Sequence, residues 1–194
     1  MHRSKFVPLF IFAASVLSGA AWAAEKELYD DPPPEDAAFV RWIEEGTAPT
    51  ILGVSMPGDF GGVYHPVSAA RTTGAQSGAF YTAATDATGQ LAIIREPDRH
   101  DRSKVLLTLL NVSNSPVRLV LVGHNADVIG NTAVNDAGGR AVNPVAATLA
   151  VVSDTGAELG VFEVQLRRGQ NLTFVARPDR ADLIENRFGP NIEG

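Results

Sequence analysis

The chain has 194 residues, with 16 Lys+Arg against 22 Asp+Glu, a formal net charge of −6, and no cysteine. Disulfides, cysteine nucleophiles and thiolate metal sites are therefore excluded, and stability must come from core burial. The acidic balance disfavours nucleic acid and anionic polymers unless a local basic patch forms, and the length suits one domain or two small ones.

Residues 1–23 have the organisation of a cleavable export signal. Arg3 and Lys5 form a positive start, Phe6 to Ser18 is apolar, and Ala21-Trp22-Ala23 places small residues where a signal peptidase reads. The apolar run is shorter than the roughly 20 residues a spanning helix needs, and Glu25-Lys26-Glu27 follows it at once. The expectation is cleavage before Ala24 and a soluble periplasmic protein.

Residues 24–36 form an acidic, proline-rich leader around Pro32-Pro33-Pro34, stiffened toward polyproline II and kept out of central strands. An N-terminal β domain is expected over 37–96. Its strands are Phe39-Val40-Arg41-Trp42-Ile43, Thr50 to Met56, 78–85 and 90–95, bounded by Gly, Asp and Thr clusters. The segment Glu96 to Lys104 mixes Pro with dense charge, offers no evident face to bury, and is expected to be a solvated interdomain turn.

The strongest strand signals lie in a C-terminal β-sandwich domain over 103–178. Lys104 to Val112 is almost continuously apolar, as a strand covered on both faces would be. Val117 to Val122, Val145 to Val152, Gly160 to Leu166 and Leu172 to Ala176 follow, joined by Ser153-Asp154-Thr155-Gly156 and Arg167-Arg168-Gly169-Gln170, two connectors with a hairpin-type glycine. Residues 179–194 are set apart as a tail. No mature segment sustains a 3.6-residue apolar period, so the fold class expected is all-β, with two small antiparallel, immunoglobulin-like β-sandwich units.

Catalytic signatures are sparse. There is no G-x-S-x-G elbow, and Gly58-Asp59 is followed by Phe60 where a Gly-Asp-Ser block would carry its nucleophile. Asp98-Arg99-His100-Asp101 sets a histidine between carboxylates, which fits a solvated turn better than a base and its orienter. His65 and His124 stand alone, short of the three or four ligands of a zinc site. Asn131, Asn135, Asp136 and Asp154 follow no calcium-loop register. No cofactor and no metal is expected. Trp42 alternates with Val40, which favours core packing over a sugar platform.

Two stretches resemble the AlgF family of periplasmic accessory proteins for alginate O-acetylation. One is Leu28-Tyr29, the proline cluster, Ala38-Phe39-Val40-Arg41 and Gly46. The other is Val105 to Asn111-Val112-Ser113, then Gly139-Arg140, Asn143-Pro144-Val145, Leu149-Ala150 and Asp154. The resemblance implies two β-sandwich units without a catalytic triad and a role as a non-catalytic adaptor. Its implied partners are a membrane-bound O-acyltransferase, a periplasmic SGNH-type O-acetyltransferase and, in a further case, the polysaccharide; nucleic acid is not among them. The polymer would be alginate or a related one such as cellulose. Tyr29, Arg41 and Trp42, close to the leader, are the expected partner-binding residues, with Arg41 otherwise a strand-face arginine paired to Glu44 or Glu45. The competing readings are a polysaccharide-binding module, which an exposed aromatic row would favour, and an acetyltransferase or esterase of unrecognised type.

Overall fold

The computed structural model describes residues 32–46, 49–56, 61–99, 103–124 and 126–192. The expected signal, Tyr29 and most of the leader lie outside the described residues. The first strands are β1 (Ala37–Trp42), β2 (Thr50–Ile51), β3 (Val54–Ser55), β4 (Val63–Ser68), β5 (Phe80–Thr85) and β6 (Leu91–Arg95). They are followed by β7 (Val105–Asn111), β8 (Val117–Leu121), β9 (Ala126–Thr132), β10 (Asp136–Val142) and β11 (Ala146–Ser153). The last are β12 (Glu158–Gln165), β13 (Asn171–Ala176), β14 (Ala181–Glu185) and β15 (Arg187–Phe188). The all-β expectation is met.

Three sheets stack as layers. The first has the order β15-β4-β1-β5-β6, the second β10-β7-β13-β14, and the third β12-β11-β8-β9. Most neighbours are antiparallel, but β1 runs parallel to β5, β13 to β7 and β15 to β4. The second sheet is the middle layer. Val105, Leu107, Leu109, Leu172 and Phe174 point from it into a core closed by Val117, Leu119, Ile129, Leu149 and Val151 of the third sheet. The alternate residues Leu110, Val112 and Val175 point the other way and meet Ile43, Ala84, Ala92 and Ile94 of the first sheet. A strand buried on both faces cannot alternate apolar with polar, which is why β7 is almost continuously apolar. Each such side chain contributes about 1.5–3 kcal/mol through removal from water.

The outer face of the first sheet has a separate core, in which Ala38, Val40, Val67, Tyr81 and Ala83 are covered by Ile51, Val54 and Met56. The expected strand Thr50 to Met56 is in fact a hairpin of two-residue strands. Leu52 and Gly53 form its turn with φ of 52° and 85°, as a two-residue I′ connection requires. The Ser153 to Gly156 connector is a hairpin with Gly156 at φ 86°, as expected. Arg167 to Gln170 instead carries the chain from the third sheet to the second; Gly169 has positive φ there too, but the strands it joins do not pair.

Other departures concern segments with weak apolar patterns. β4 contains Pro66 and pairs only with strands distant in sequence. β10 is rich in glycine because its neighbours come very close: a Cβ on Gly138 would lie 2.6 Å from Ile129, and one on Gly139 2.9 Å from Pro97. Within residues 179–194, β14 extends the middle sheet and β15 the first sheet, so this segment stitches two layers together.

Candidate functional site

Along the inner face of the first sheet, residues two apart in β1 and their register partners change character in sequence. Ile43, Ala84, Ala92 and Ile94 are apolar core. One step along, Arg41 and Thr82 face inward on paired strands, and Glu96 continues the inward alternation of β6 past its end. One step further come Phe39 and Phe80, opposite each other in register, with Phe188 beside Tyr64 on the neighbouring pair. The face thus runs from oil, through charge, to an aromatic rim.

The charged stretch is centred on Glu96, which is 2% exposed, and Arg41, which is fully buried. Arg41 donates through Nε to Thr82 Oγ1 (2.6 Å) and through Nη1 to Asn186 Oδ1 (2.8 Å). Its Nη2 donates to Glu96 Oε1 and to Thr173 Oγ1, both at 3.0 Å. Thr173 in turn donates to Asn186 Oδ1 at 3.0 Å. Tyr64 and Thr82 both donate short hydrogen bonds to Glu96 Oε1. Arg99 Nη2 bridges Glu96 Oε2 (2.9 Å) and Tyr64 Oη (2.6 Å). One network therefore joins β1, β4, β5, the end of β6, β13 of the middle sheet, and the residue between β14 and β15.

Burial alone would raise the Glu96 pKa, but the Arg41 and Arg99 charges, then the Thr82 and Tyr64 hydroxyls, outweigh it and hold the carboxyl below its ordinary value. The Tyr64 phenol is pushed up by burial and then by the Glu96 charge, against the two arginines, so it stays a neutral donor. Two guanidiniums against one carboxylate leave the cluster with one excess positive charge. The excess is at Arg99, whose side chain is 10% exposed. Its Nε and Nη1 are buried and meet no acceptor among the described residues. An unmet buried donor costs about 1–3 kcal/mol.

The aromatic rim closes over this end. Phe39 and Phe80 stack with centroids 4.6 Å apart and planes at 12°. Phe188 meets both rings edge-on at 5.6 and 6.2 Å and stacks on Tyr64 at 5.7 Å. The Arg99 guanidinium lies 4.0 Å over Phe80 and 4.8 Å over Tyr64. Phe188 is nevertheless 54% exposed.

Of the residues singled out from sequence, Tyr29 lies outside the described residues. Arg41 is not paired to Glu44 or Glu45; it is enclosed with Glu96, while Glu44 binds Arg177 at 2.8 Å. Trp42, half-buried, points to the opposite face of β1 and packs with Val40 in the outer core. The charged segment beginning at Glu96 is not wholly solvated, because its first carboxylate is the centre of the network; His100 and Asp101 lie outside the described residues. Sequence reading missed Tyr64, Glu96, Arg99, Thr173 and Asn186. The alternation Ala92, Ile94, Glu96 was the available signal for an inward carboxylate. Among the arginines that a basic patch for an anionic polymer would need, Arg177 is held by Glu44 and Asp182, and Arg140 donates to the carbonyls of Asp127 and Val128. Arg167 and Arg168 line an open depression with Glu185 and Gln170.

The model of the family described as Alginate O-acetyl transferase AlgF matches residues 65–173, a span that includes Thr82, Glu96, Arg99 and Thr173. The alginate biosynthesis protein AlgF of Pseudomonas fluorescens is 28% identical over 172 residues, covering 80% of this chain and 79% of that protein. Its counterpart in Pseudomonas syringae pv. tomato is 26% identical over 196 residues, covering 87% and 86%. A solved structure of the C-terminal domain of AlgF from P. aeruginosa covers 43% of this chain and 96% of its own length, at 22% identity and a TM-score of 0.38. With its family model matched over more than half its length, the chain belongs to the AlgF family.

Proposed function

We propose that this chain is a non-catalytic periplasmic adaptor required for O-acetylation of an exopolysaccharide, alginate or a related polymer such as cellulose. It would link a membrane-bound O-acyltransferase to a periplasmic SGNH-type O-acetyltransferase. Family membership supports the pathway. The observation that carries the adaptor role is the aromatic rim, half-buried at Phe39 and Phe80 and 54% exposed at Phe188, fixed from below by a buried ion network. A surface held rigid before binding loses little conformational entropy when a partner arrives. The network itself is poorly suited to acid–base chemistry: both Glu96 oxygens accept hydrogen bonds from Arg41, Arg99, Tyr64 and Thr82, which stabilise the ionised form and leave the carboxylate enclosed.

The aromatic rim also bears on the polysaccharide-binding alternative. A sugar platform presents open ring faces, whereas Phe39 and Phe80 lie face to face and Arg99 lies over Phe80. The most exposed ring is the single Phe188 side chain, which suits an apolar protein side chain better than a row of pyranose faces.

Co-purification of the exported chain with each of the two enzymes tests the proposal, run beside an ester-hydrolysis assay of the chain alone. Stable complexes without turnover are expected. Turnover by the isolated chain, or polymer binding with no affinity for either enzyme, would overturn it.

A further inference from the structure

The surface and the chemistry of its occupant can be specified further, on the basis of the adaptor reading. We propose that the Phe39–Phe80–Phe188 rim and Arg99 form a docking site for a protein segment that carries an apolar or aromatic side chain next to a carboxylate.

The apolar half of this specification comes from Phe188. It is 54% exposed although three aromatic rings surround it, so an inserted side chain would find partners on several sides. Aromatic groups of this kind, ringed by other side chains, dominate the energy of protein interfaces.

The charged half comes from Arg99. Its Nη2 is fixed by Tyr64 and Glu96, while Nε and Nη1 have no acceptor among the described residues. The Glu96 carboxylate is already shared with Arg41, so it cannot neutralise both guanidiniums. The positive charge left at the rim, on a side chain 10% exposed, calls for an anionic partner, and a carboxylate matches guanidinium charge and geometry. Asp98, beside Arg99 in sequence, pairs with Arg95 at 3.5 Å, both half-exposed.

A uronate polymer also carries carboxylates. It is the weaker candidate because the Phe39 and Phe80 faces are already engaged, and because a chain with 22 acidic against 16 basic residues repels a dense polyanion more than a single acidic side chain.

The test uses the full exported chain and the purified periplasmic SGNH-type O-acetyltransferase, with binding followed by interferometry. Phe188→Ala and Arg99→Gln should each weaken binding by about tenfold or more, as central interface residues do. Arg118→Gln, on the third sheet with the middle sheet between it and the rim, should leave it unchanged. Circular dichroism melting of each variant separates lost binding from lost fold, and Phe188→Glu adds a charge that repels an incoming carboxylate while removing none of the network's hydrogen bonds. A photo-crosslinking phenylalanine analogue at position 188 should capture an enzyme peptide with Asp or Glu close to an apolar residue. Wild-type affinity in folded Phe188→Ala and Phe188→Glu would overturn the docking site while leaving the adaptor reading intact. Capture of a peptide without a carboxylate would overturn the proposed chemistry. A wild-type chain that binds neither enzyme defeats the adaptor reading and this site with it. Binding of a uronate oligosaccharide that Phe188→Ala abolishes would assign the rim to the polymer and overturn the proposal.

Discussion

The middle sheet meets its two neighbours by different physics. Toward the third sheet it presents Val105, Leu107, Leu109, Leu172 and Phe174 to an apolar layer. Toward the first it presents Leu110, Val112 and Val175, and then Thr173 inside the Arg41–Glu96 network. Apolar contact is non-directional, and other arrangements of similar volume could satisfy it. The network is directional: Arg41 reaches Thr82, Glu96, Thr173 and Asn186 at once only in one relative placement of the two sheets. Its worth is therefore in alignment more than in stability, since buried ion pairs seldom outperform well-packed hydrocarbon.

The largest effect expected is at the centre of that contrast. Glu96→Ala leaves two guanidiniums facing each other without a counter-charge and should cost about 3–5 kcal/mol in urea unfolding. Replacing Arg41 and Glu96 together with methionine should recover much of that loss, because the pair is removed as a unit; a double-mutant cycle measures the coupling. If the double variant is as unstable as the single one, packing around the pair outweighs its charge. Leu107→Ala, in the apolar interface, should cost about 2–5 kcal/mol and add independently to the Glu96 variant.

The two interfaces should also part company with pH. The folded Glu96 carboxyl sits below its ordinary value near 4.5, so the stability it contributes is present above that value. It is lost as pH falls through the ordinary value toward the folded one. Tyr64 works in the opposite direction: its folded value is raised, so its contribution is complete below the ordinary phenol value near 10 and lost as pH climbs past it. Melting curves from about pH 7 down to pH 3 should show a drop that Glu96→Gln reduces, Asp36 and Asp86 keeping a remainder, and that Leu107→Ala retains.

These differences explain what the sequence disclosed. β7 and β13 were legible because a strand covered on both faces is largely apolar. Gly156 was legible because a hairpin turn demands positive φ. The network was illegible as a unit because its members belong to six separate segments, and two of these carry misleading patterns. Glu96 opens a run of charges that resembles a solvated turn, although Ala92 and Ile94, four and two residues earlier, already set its side inward. Tyr64 lies in a strand interrupted by Pro66. Asn186 lies between two short strands whose pairing partners are remote, so only the folded chain reveals that its amide oxygen accepts from both Arg41 and Thr173.

A smaller effect is expected where the backbone presses on the network from outside. Gly139 lies under Pro97, the residue that follows Glu96, and an added Cβ would come 2.9 Å from the proline ring. The ring cannot swing aside as a flexible side chain would, so Gly139→Ala should cost about 1–3 kcal/mol through overpacking. If the displaced Pro97 carries Glu96 with it, the acid limb of the pH profile should shift as well. An unchanged limb would confine the damage to β10.

The smallest effect on stability is expected at Phe188. More than half of its surface is exposed, and its strand pairs with β4 through two residues. Phe188→Ala gives up part of three ring contacts, each about 0.5–1.5 kcal/mol at most for well-enclosed pairs and less for one this open. A loss under about 1 kcal/mol in urea unfolding would show that the rim is tolerated by the fold more than needed by it. A loss near that of Leu107→Ala would make Phe188 a structural clamp for the last strand, and the contrast between a keyed interior and a surface available for docking would have to be redrawn.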